Sequence, residues 1–287
     1  MSTNKDLNAT KLKYYVINLK SQPERRKNMS KQLDAQGVEY EFFDAVNGIN
    51  LKGQTERRER MAKLLDAQGV DYEFFEGVNG RALTEEQKAL FADEDKNILE
   101  MTGGRKLLVE DKLSLPEKGC ALSHLKLYQK ILDDGVQRAV ILEDDMLLNQ
   151  DVYEALDNID CIKEPWDIIN FSSHIGIKSL PGAKKYYANK EKGFYFQRLG
   201  MRNNTLDAIF NRRRVLIYAA LYVVTPTACK RLIELGYPVR IVADYLTGLV
   251  AYHNLKLFRA YPLNHFMQFH EVDSTIGDRP AHRMIRL

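Results

Sequence analysis

The sequence predicts an α/β fold in which helices cover both faces of a mainly parallel sheet, built as a single domain over residues 1–287. Three observations predict it. Short β-branched and aromatic runs alternate with longer amphipathic segments along most of the chain. The first such group reads strand, helix, strand, which is a βαβ opening. The length of 287 residues with 45% hydrophobic side chains is enough for one large core.

Tyr14-Tyr15-Val16-Ile17-Asn18-Leu19 is the first strand. Pro23 to Gln36 follows as a helix, with Met29 and Leu33 one turn apart and Gly37 as its stop. Val38 to Val46 is a second strand, rich in aromatics. The chain then repeats itself: aligned without gaps, residues 17–48 and 49–80 are identical at 23 of 32 positions, including Glu-Arg-Arg and Leu-Asp-Ala-Gln-Gly-Val. This is a tandem duplication, and two copies are too few for a solenoid. Only the first copy is preceded by Tyr14-Tyr15-Val16. One copy is therefore expected in the core and the other as an insertion, with exchange between two chains of a homodimer as one arrangement it allows.

Residues 81–118 are charged; Thr84 caps a helix through Phe91, and Gly103-Gly104 marks a mobile loop. Gly119 to Leu132 is a helix with apolar residues at helical spacing. Asp133-Asp134-Gly135 turns it into the strand Ala139-Val140-Ile141-Leu142, which stops at Glu143-Asp144-Asp145. Asn149 or Asp151 caps a helix through Leu156. Asp167 to Phe171 is a strand, and residues 176–214 lose periodicity, as expected of a long surface segment where substrate would bind. Ile217 to Thr225 is a strand, Pro226 to Leu235 a helix, Asp244 to Tyr252 another helix, and Leu255 to Tyr261 the last strand.

Bulk properties exclude several classes. With 42 basic against 39 acidic side chains, a net charge of +3 does not predict a nucleic-acid binder. Arg212-Arg213-Arg214 and Arg279, His282, Arg283 and Arg286 are local basic patches, readable as solvated faces or as contacts to phosphate or an anionic membrane surface. Cys120, Cys161 and Cys229 fit neither a disulfide framework nor a Cys-x-x-Cys metal site, which implies a reducing compartment. A polar start and the lack of an 18-residue apolar stretch predict a cytoplasmic protein with peripheral membrane contact at most.

Three acids at the end of a buried strand are the sharpest chemical signal. Ligands of α/β sheets sit beyond the carboxyl ends of the strands, and carboxylates with substrate phosphates are the usual hosts of hard divalent cations. The plain alternative is a set of acids complementing the positive end of the next helix.

Several segments together resemble glycosyltransferase family 25, the lipo-oligosaccharide galactosyltransferases. They are Val16-Ile17-Asn18-Leu19 with Glu24-Arg25-Arg26, Phe42 to Gly48, Gly119-Cys120-Ala121-Leu122-Ser123-His124, Ile141 to Asp145, Ala219 to Val224, Asp244, and Ser274-Thr275-Ile276. The duplication departs from the family pattern and leaves open which copy supplies the first-helix residues. The resemblance implies a GT-A-like, Rossmann-like fold and an inverting, metal-assisted transfer of galactose from UDP-galactose. Asp145 is then expected on a Mn²⁺ or Mg²⁺ ion, Asp144 on the ribose or a metal-bound water, and Glu143 on the nucleoside or as a structural partner. Asp244 is expected as the base on the acceptor hydroxyl, or as a plain N-cap. Asn18, Arg25 and Arg26 are expected at the donor phosphates, with a surface ion pair as the alternative for either arginine. Ser123 and His124 are expected either at the donor or in the core. His270 is a weaker metal-ligand candidate. Tyr186, Tyr187, Phe194 and Tyr195 would stack on acceptor sugars or pack the segment that carries them. The partners implied are a UDP-sugar and a lipid-linked oligosaccharide at the inner leaflet. Two other readings stand beside the transferase: a non-catalytic carbohydrate-binding relative, and a nucleotide-sugar hydrolase.

Overall fold

The structure is a computed structural model describing residues 12–19, 23–38, 40–45, 78, 80–93, 97–104, 106–109, 112–143, 146–172, 183–200, 219–269 and 285–286. β1 (Lys13–Leu19), which runs into the first repeat copy, with α1 (Pro23–Asp34) and β2 (Tyr40–Ala45) of that copy, makes the expected βαβ unit. Thr84 caps the short helix α2 (Glu85–Lys88) in a reciprocal capping box with Gln87. Next come β3 (Ile98–Glu100), β4 (Lys106–Val109) and the long helix α3 (Leu115–Asp133), which Ser114 and Glu117 open with a second capping box. β5 (Ala139–Glu143), β6 (Met146–Leu148), α4 (Asp151–Asp157) and β7 (Ile168–Asn170) follow. The Asn149 side chain accepts the Asp151 N–H, but the N-cap of α4 is Gln150.

Eight strands form the main sheet in the order β2-β1-β5-β10-β7-β11-β9-β8, with β8 (Lys185–Asn189), β9 (Phe194–Arg198), β10 (Leu221–Val224) and β11 (Leu257–Tyr261) completing it. Six strands point one way; β10 and β9 run against them. The sheet is thus mainly parallel, with β10 antiparallel at its centre. Alternation sorts the strand residues to two cores. Tyr15, Ile17, Ile141, Tyr222 and Val224 face α3 and α5 (Pro226–Gly236), while Tyr14, Val16, Val140, Leu142 and Val223 face α1 and α4. Met29 and Leu33 of α1 are fully buried in the second core, as their spacing predicts.

Three expectations change. Within residues 176–214, the aperiodic segment contains the hairpin β8–β9, which extends the main sheet from β11. Its inward residues Tyr186, Phe194 and Phe196 are buried, so apolar burial overrides the polar composition. The helix expected over Asp244 to Tyr252 is two pieces, α6 (Ala243–Gly248) and α7 (Val250–His253), because Leu249 leaves the helical dihedrals. The Gly103-Gly104 turn joins β3 to β4 in a small sheet with β13 (Ile285–Arg286), both glycines having positive φ. A two-stranded pair, β6 with β12 (Met267–Phe269), lies beside the main sheet.

Residues 46–77 lie outside the described residues, so the second copy is represented by its last part. Val78 is 2% exposed and packs in the core shared with α3. There two backbones touch: a Cβ on Gly80 would sit 1.7 Å from the Leu115 carbonyl oxygen, and one on Gly119 would sit 2.8 Å from the Val78 carbonyl oxygen. Both glycines are required by this close approach.

Candidate active site

β5 delivers Glu143 to the carboxyl-terminal edge of the sheet, where Glu143 pairs in register with Ile17 of β1. Two consecutive residues leading into β10 then join this acid to a second one. The Glu143 N–H donates to the Ala220 carbonyl at 2.8 Å, and the Ala219 N–H donates to Asp244 Oδ1 at 3.0 Å. Glu143 and Asp244, far apart in sequence, are thereby held against one backbone segment. Val242 is the N-cap of α6 and Asp244 lies in its first turn, so the N-cap reading of Asp244 is replaced. Its carboxylate is instead oriented by an N–H from another element.

On the α3 side, Cys120, His124 and Tyr128 lie at successive spacings of four, on one face of the helix. The His124 ring is wholly buried. Its Nδ1 is 2.8 Å from the Tyr222 hydroxyl, which is 2.8 Å from the Tyr128 hydroxyl. Its Nε2 lies 3.7 Å from Glu143 Oε1 and has no hydrogen-bond partner among the described residues. Burial pushes His124 down from 6.5 to about 4, against the pull of the Asp244 carboxylate. The imidazole is therefore neutral near pH 7, and its approach to Glu143 is a contact of a polar nitrogen with a carboxylate, not an ion pair. Burial pushes the Tyr128 and Tyr222 hydroxyls well up, so both stay protonated.

The other expected site residues are placed unevenly. Ser123 is buried, and its hydroxyl donates to the Gly119 carbonyl one turn back. Asn18 is paired through its backbone with Asp44 of β2, one residue beyond the Ile17–Glu143 level. The side chains of Asn18 and Arg25 lie outside the described residues. Arg26 is half-buried; burial raises the Tyr40 phenol, and the Arg26 charge is among the influences that oppose this. Asp144, Asp145, His270, residues 274–276 and most of both basic patches lie outside the described residues. Tyr186 and Phe194 pack in the core, whereas Tyr195 stacks on Tyr261 with ring centroids 5.0 Å apart and Tyr187 is 40% exposed.

Sequence reasoning missed Tyr222 and the Ala219–Ala220 bridge. An apolar run conceals a tyrosine that turns inward, and no local pattern reports that β10 lies between the two acids. Cys120 was detectable, four residues before His124 on the same helix, but spacing among the cysteines alone does not expose it.

The profile of Glycosyltransferase family 25 (LPS biosynthesis protein) matches residues 11–48 and 49–247, breaking at the boundary between the repeat copies. The chain belongs to glycosyltransferase family 25. A curated relative, procollagen galactosyltransferase 2 of Homo sapiens, is 32% identical over 171 residues, which are 58% of this chain and 21% of that one. The family 25 chain thus spans about a fifth of that relative. Solved structures with partial likeness include the inositol-1-phosphate CTP transferase from T. maritima, at TM-score 0.43 and 12% identity over 94% of this chain and 92% of that one. Another is the catalytic domain of Drosophila beta1,4galactosyltransferase 7 in complex with xylobiose, at TM-score 0.38 and 8% identity over 94% and 74%. The bifunctional glycosyltransferase WbbM gives 0.40 and 9% over 88% and 39%. Among the described residues no helix is long and apolar enough to cross a membrane.

Proposed function

We propose that this family 25 glycosyltransferase moves a hexose, galactose from UDP-galactose, onto a lipo-oligosaccharide acceptor with inversion at the anomeric carbon. One observation carries the reading: the Ala219–Ala220 backbone holds the Glu143 and Asp244 segments together at the carboxyl edge of the sheet. Direct displacement needs a base at the acceptor hydroxyl opposite the leaving diphosphate. Asp244 takes that proton as the hydroxyl oxygen bonds to the anomeric carbon, and the bond to UDP breaks with its electron pair leaving on the diphosphate. A backbone N–H on one carboxylate oxygen fixes the direction of this base before substrate arrives.

The hard oxygen donors of Asp145 and Asp144, directly after Glu143, suit Mn²⁺ or Mg²⁺, which would supply Lewis-acid stabilisation of the diphosphate. Glu143 orients the nucleoside, and Asn18, Arg25 and Arg26 line the phosphates from the carboxyl end of β1 and the start of α1. Ser123 and His124 support this wall from behind. The segment 176–214 borders the acceptor. Work at the inner leaflet from the cytoplasmic side, as a monomer or a homodimer, accommodates a lipid-linked acceptor without a membrane span.

The experiment is a panel of UDP-sugars with Mn²⁺, with and without a lipo-oligosaccharide fragment and with and without chelator. UDP release that needs both acceptor and metal is the expected result. Release without acceptor identifies a nucleotide-sugar hydrolase, and binding without release identifies a non-catalytic carbohydrate-binding relative.

A further inference from the structure

We propose that Cys120, His124 and Glu143 form a binding site for a thiophilic divalent cation of the Zn²⁺ type, separate from the hard-metal site expected at Asp144 and Asp145. One ligand atom from each residue, a sulfur, a ring nitrogen and a carboxylate oxygen, lies within 4.8 Å of the other two. Bond lengths of roughly 2.0–2.3 Å place tetrahedral ligand atoms about 3.3–3.8 Å apart. The His124 Nε2 to Glu143 Oε1 separation is 3.7 Å, a few tenths of an ångström beyond the tetrahedral nitrogen–oxygen spacing. Cys120, half-buried one turn before His124, needs only a side-chain adjustment to close the set.

An independent observation points to a ligand. His124 Nε2 is fully buried, aimed at Glu143, and has no hydrogen-bond partner among the described residues. Buried polar nitrogens are nearly always satisfied, and a cation held with the nearby sulfur and carboxylate would satisfy this one. The opposite nitrogen is already braced. Nδ1 meets the Tyr222 hydroxyl at 2.8 Å, and Tyr222 meets Tyr128. If Nδ1 carries the proton and donates to Tyr222, the Nε2 lone pair faces the cluster, the orienting arrangement that metal-bound histidines use. The Glu143 side chain is 29% exposed, so the ion enters from solvent. A thiolate with imidazole and carboxylate selects Zn²⁺ over Mg²⁺ or Mn²⁺ and leaves a fourth position for water or substrate. Binding deprotonates Cys120, and the proton goes to solvent.

The test uses the full chain stripped of metal, with no nucleotide and no acceptor, so it succeeds or fails apart from the transferase reading. Titration with Co²⁺ should give a thiolate-to-cobalt charge-transfer absorption that saturates at one ion per chain, is displaced by Zn²⁺ and releases one proton. Cys120→Ser, at a half-exposed position, should lose that absorption and bind Zn²⁺ roughly 100-fold more weakly, with unchanged metal-free thermal unfolding. Cys161→Ser and Asp145→Asn should retain both. In the unsubstituted chain, Zn²⁺ should protect Cys120 from alkylation, read by peptide mass. No charge-transfer absorption, equal Zn²⁺ affinity in Cys120→Ser, or Cys120 alkylated at the same rate with and without Zn²⁺ each overturns the site.

Discussion

His124 and His253 are buried to the same degree and pushed down by that burial to the same value, about 4, yet they occupy regions with different purposes. At His253 both ring nitrogens are used. Nδ1 accepts the Leu255 N–H at 2.9 Å, which leaves Nε2 to donate to the Thr247 carbonyl at 3.1 Å. That ring pins the end of α7 to the approach of β11 and has nothing left to offer a substrate. At His124 one nitrogen meets the Tyr222 hydroxyl, and the other has no hydrogen-bond partner among the described residues and lies 3.7 Å from Glu143 Oε1. Depth and protonation state therefore do not distinguish these two histidines; the second nitrogen does.

Four perturbations sharpen this contrast. The largest effect is expected on the His124 side: Asp244→Asn should lower acceptor-dependent turnover by about 10²–10⁴-fold. The amide oxygen still accepts the Ala219 N–H, so thermal unfolding and UDP binding should stay unchanged, and wild-type turnover would remove Asp244 from its role. On the other side, His253→Ala removes two buried hydrogen bonds and leaves a cavity, an expected loss of about 3 kcal/mol in urea unfolding. Turnover per folded molecule should hold, and a selective loss of turnover would erase the distinction.

Acid is the third probe. Both imidazoles fall from 6.5 to about 4 on folding, so protonation favours the unfolded chain. Their stabilising contribution is complete above pH 6.5 and disappears as the pH falls through about 4. Within that window each histidine should add roughly 1.4 kcal/mol per pH unit to the slope of stability. Urea titrations across it should show the slope reduced by one histidine's share in His253→Ala; an unchanged slope contradicts the buried neutral ring. The smallest effect is expected from Tyr222→Phe, which strips a partner from His124 and Tyr128 and should cost about 1–2 kcal/mol by the same measurement.

Much of the frame was legible in sequence because local patterns carry it. Unbroken apolar runs at Tyr14 to Ile17 and Ala139 to Leu142 predict strands buried on both faces, and Met29 with Leu33 predicts the inner stripe of α1. Thr84 was legible as a helix cap, while its reciprocal bond with Gln87 came from the structure. Strand direction was not legible, since alternation reads the same forwards and backwards and the antiparallel course of β10 is set by its neighbours. The hairpin β8–β9 was concealed by its lysines and tyrosines, although Phe194 and Phe196 at alternate positions after Gly193 carry the signal. In the candidate site, Glu143, Asp244 and His124 were each legible singly as candidates, through motif and position. Their joining was not, because it runs through the backbone of Ala219 and Ala220 and the hydroxyl of Tyr222, contacts that no spacing along the chain encodes.

The close approach of Gly80 to α3 has a consequence for how the duplication is tolerated. The sheet takes its opening strands and helix from the first copy, but the glycine seated against Leu115 belongs to the second. Because the copies agree at 23 of 32 positions, and Val46-Asn47-Gly48 matches Val78-Asn79-Gly80, a single copy contains both ends of what the core uses. Among the described residues, the core takes the front of one copy and the back of the other. An in-frame excision of 32 residues that joins equivalent positions restores one uninterrupted copy and still presents a glycine to Leu115. Where the cut falls decides whether Gln32, whose Oε1 accepts the Leu148 N–H at 2.8 Å, is kept or replaced by the leucine of the second copy.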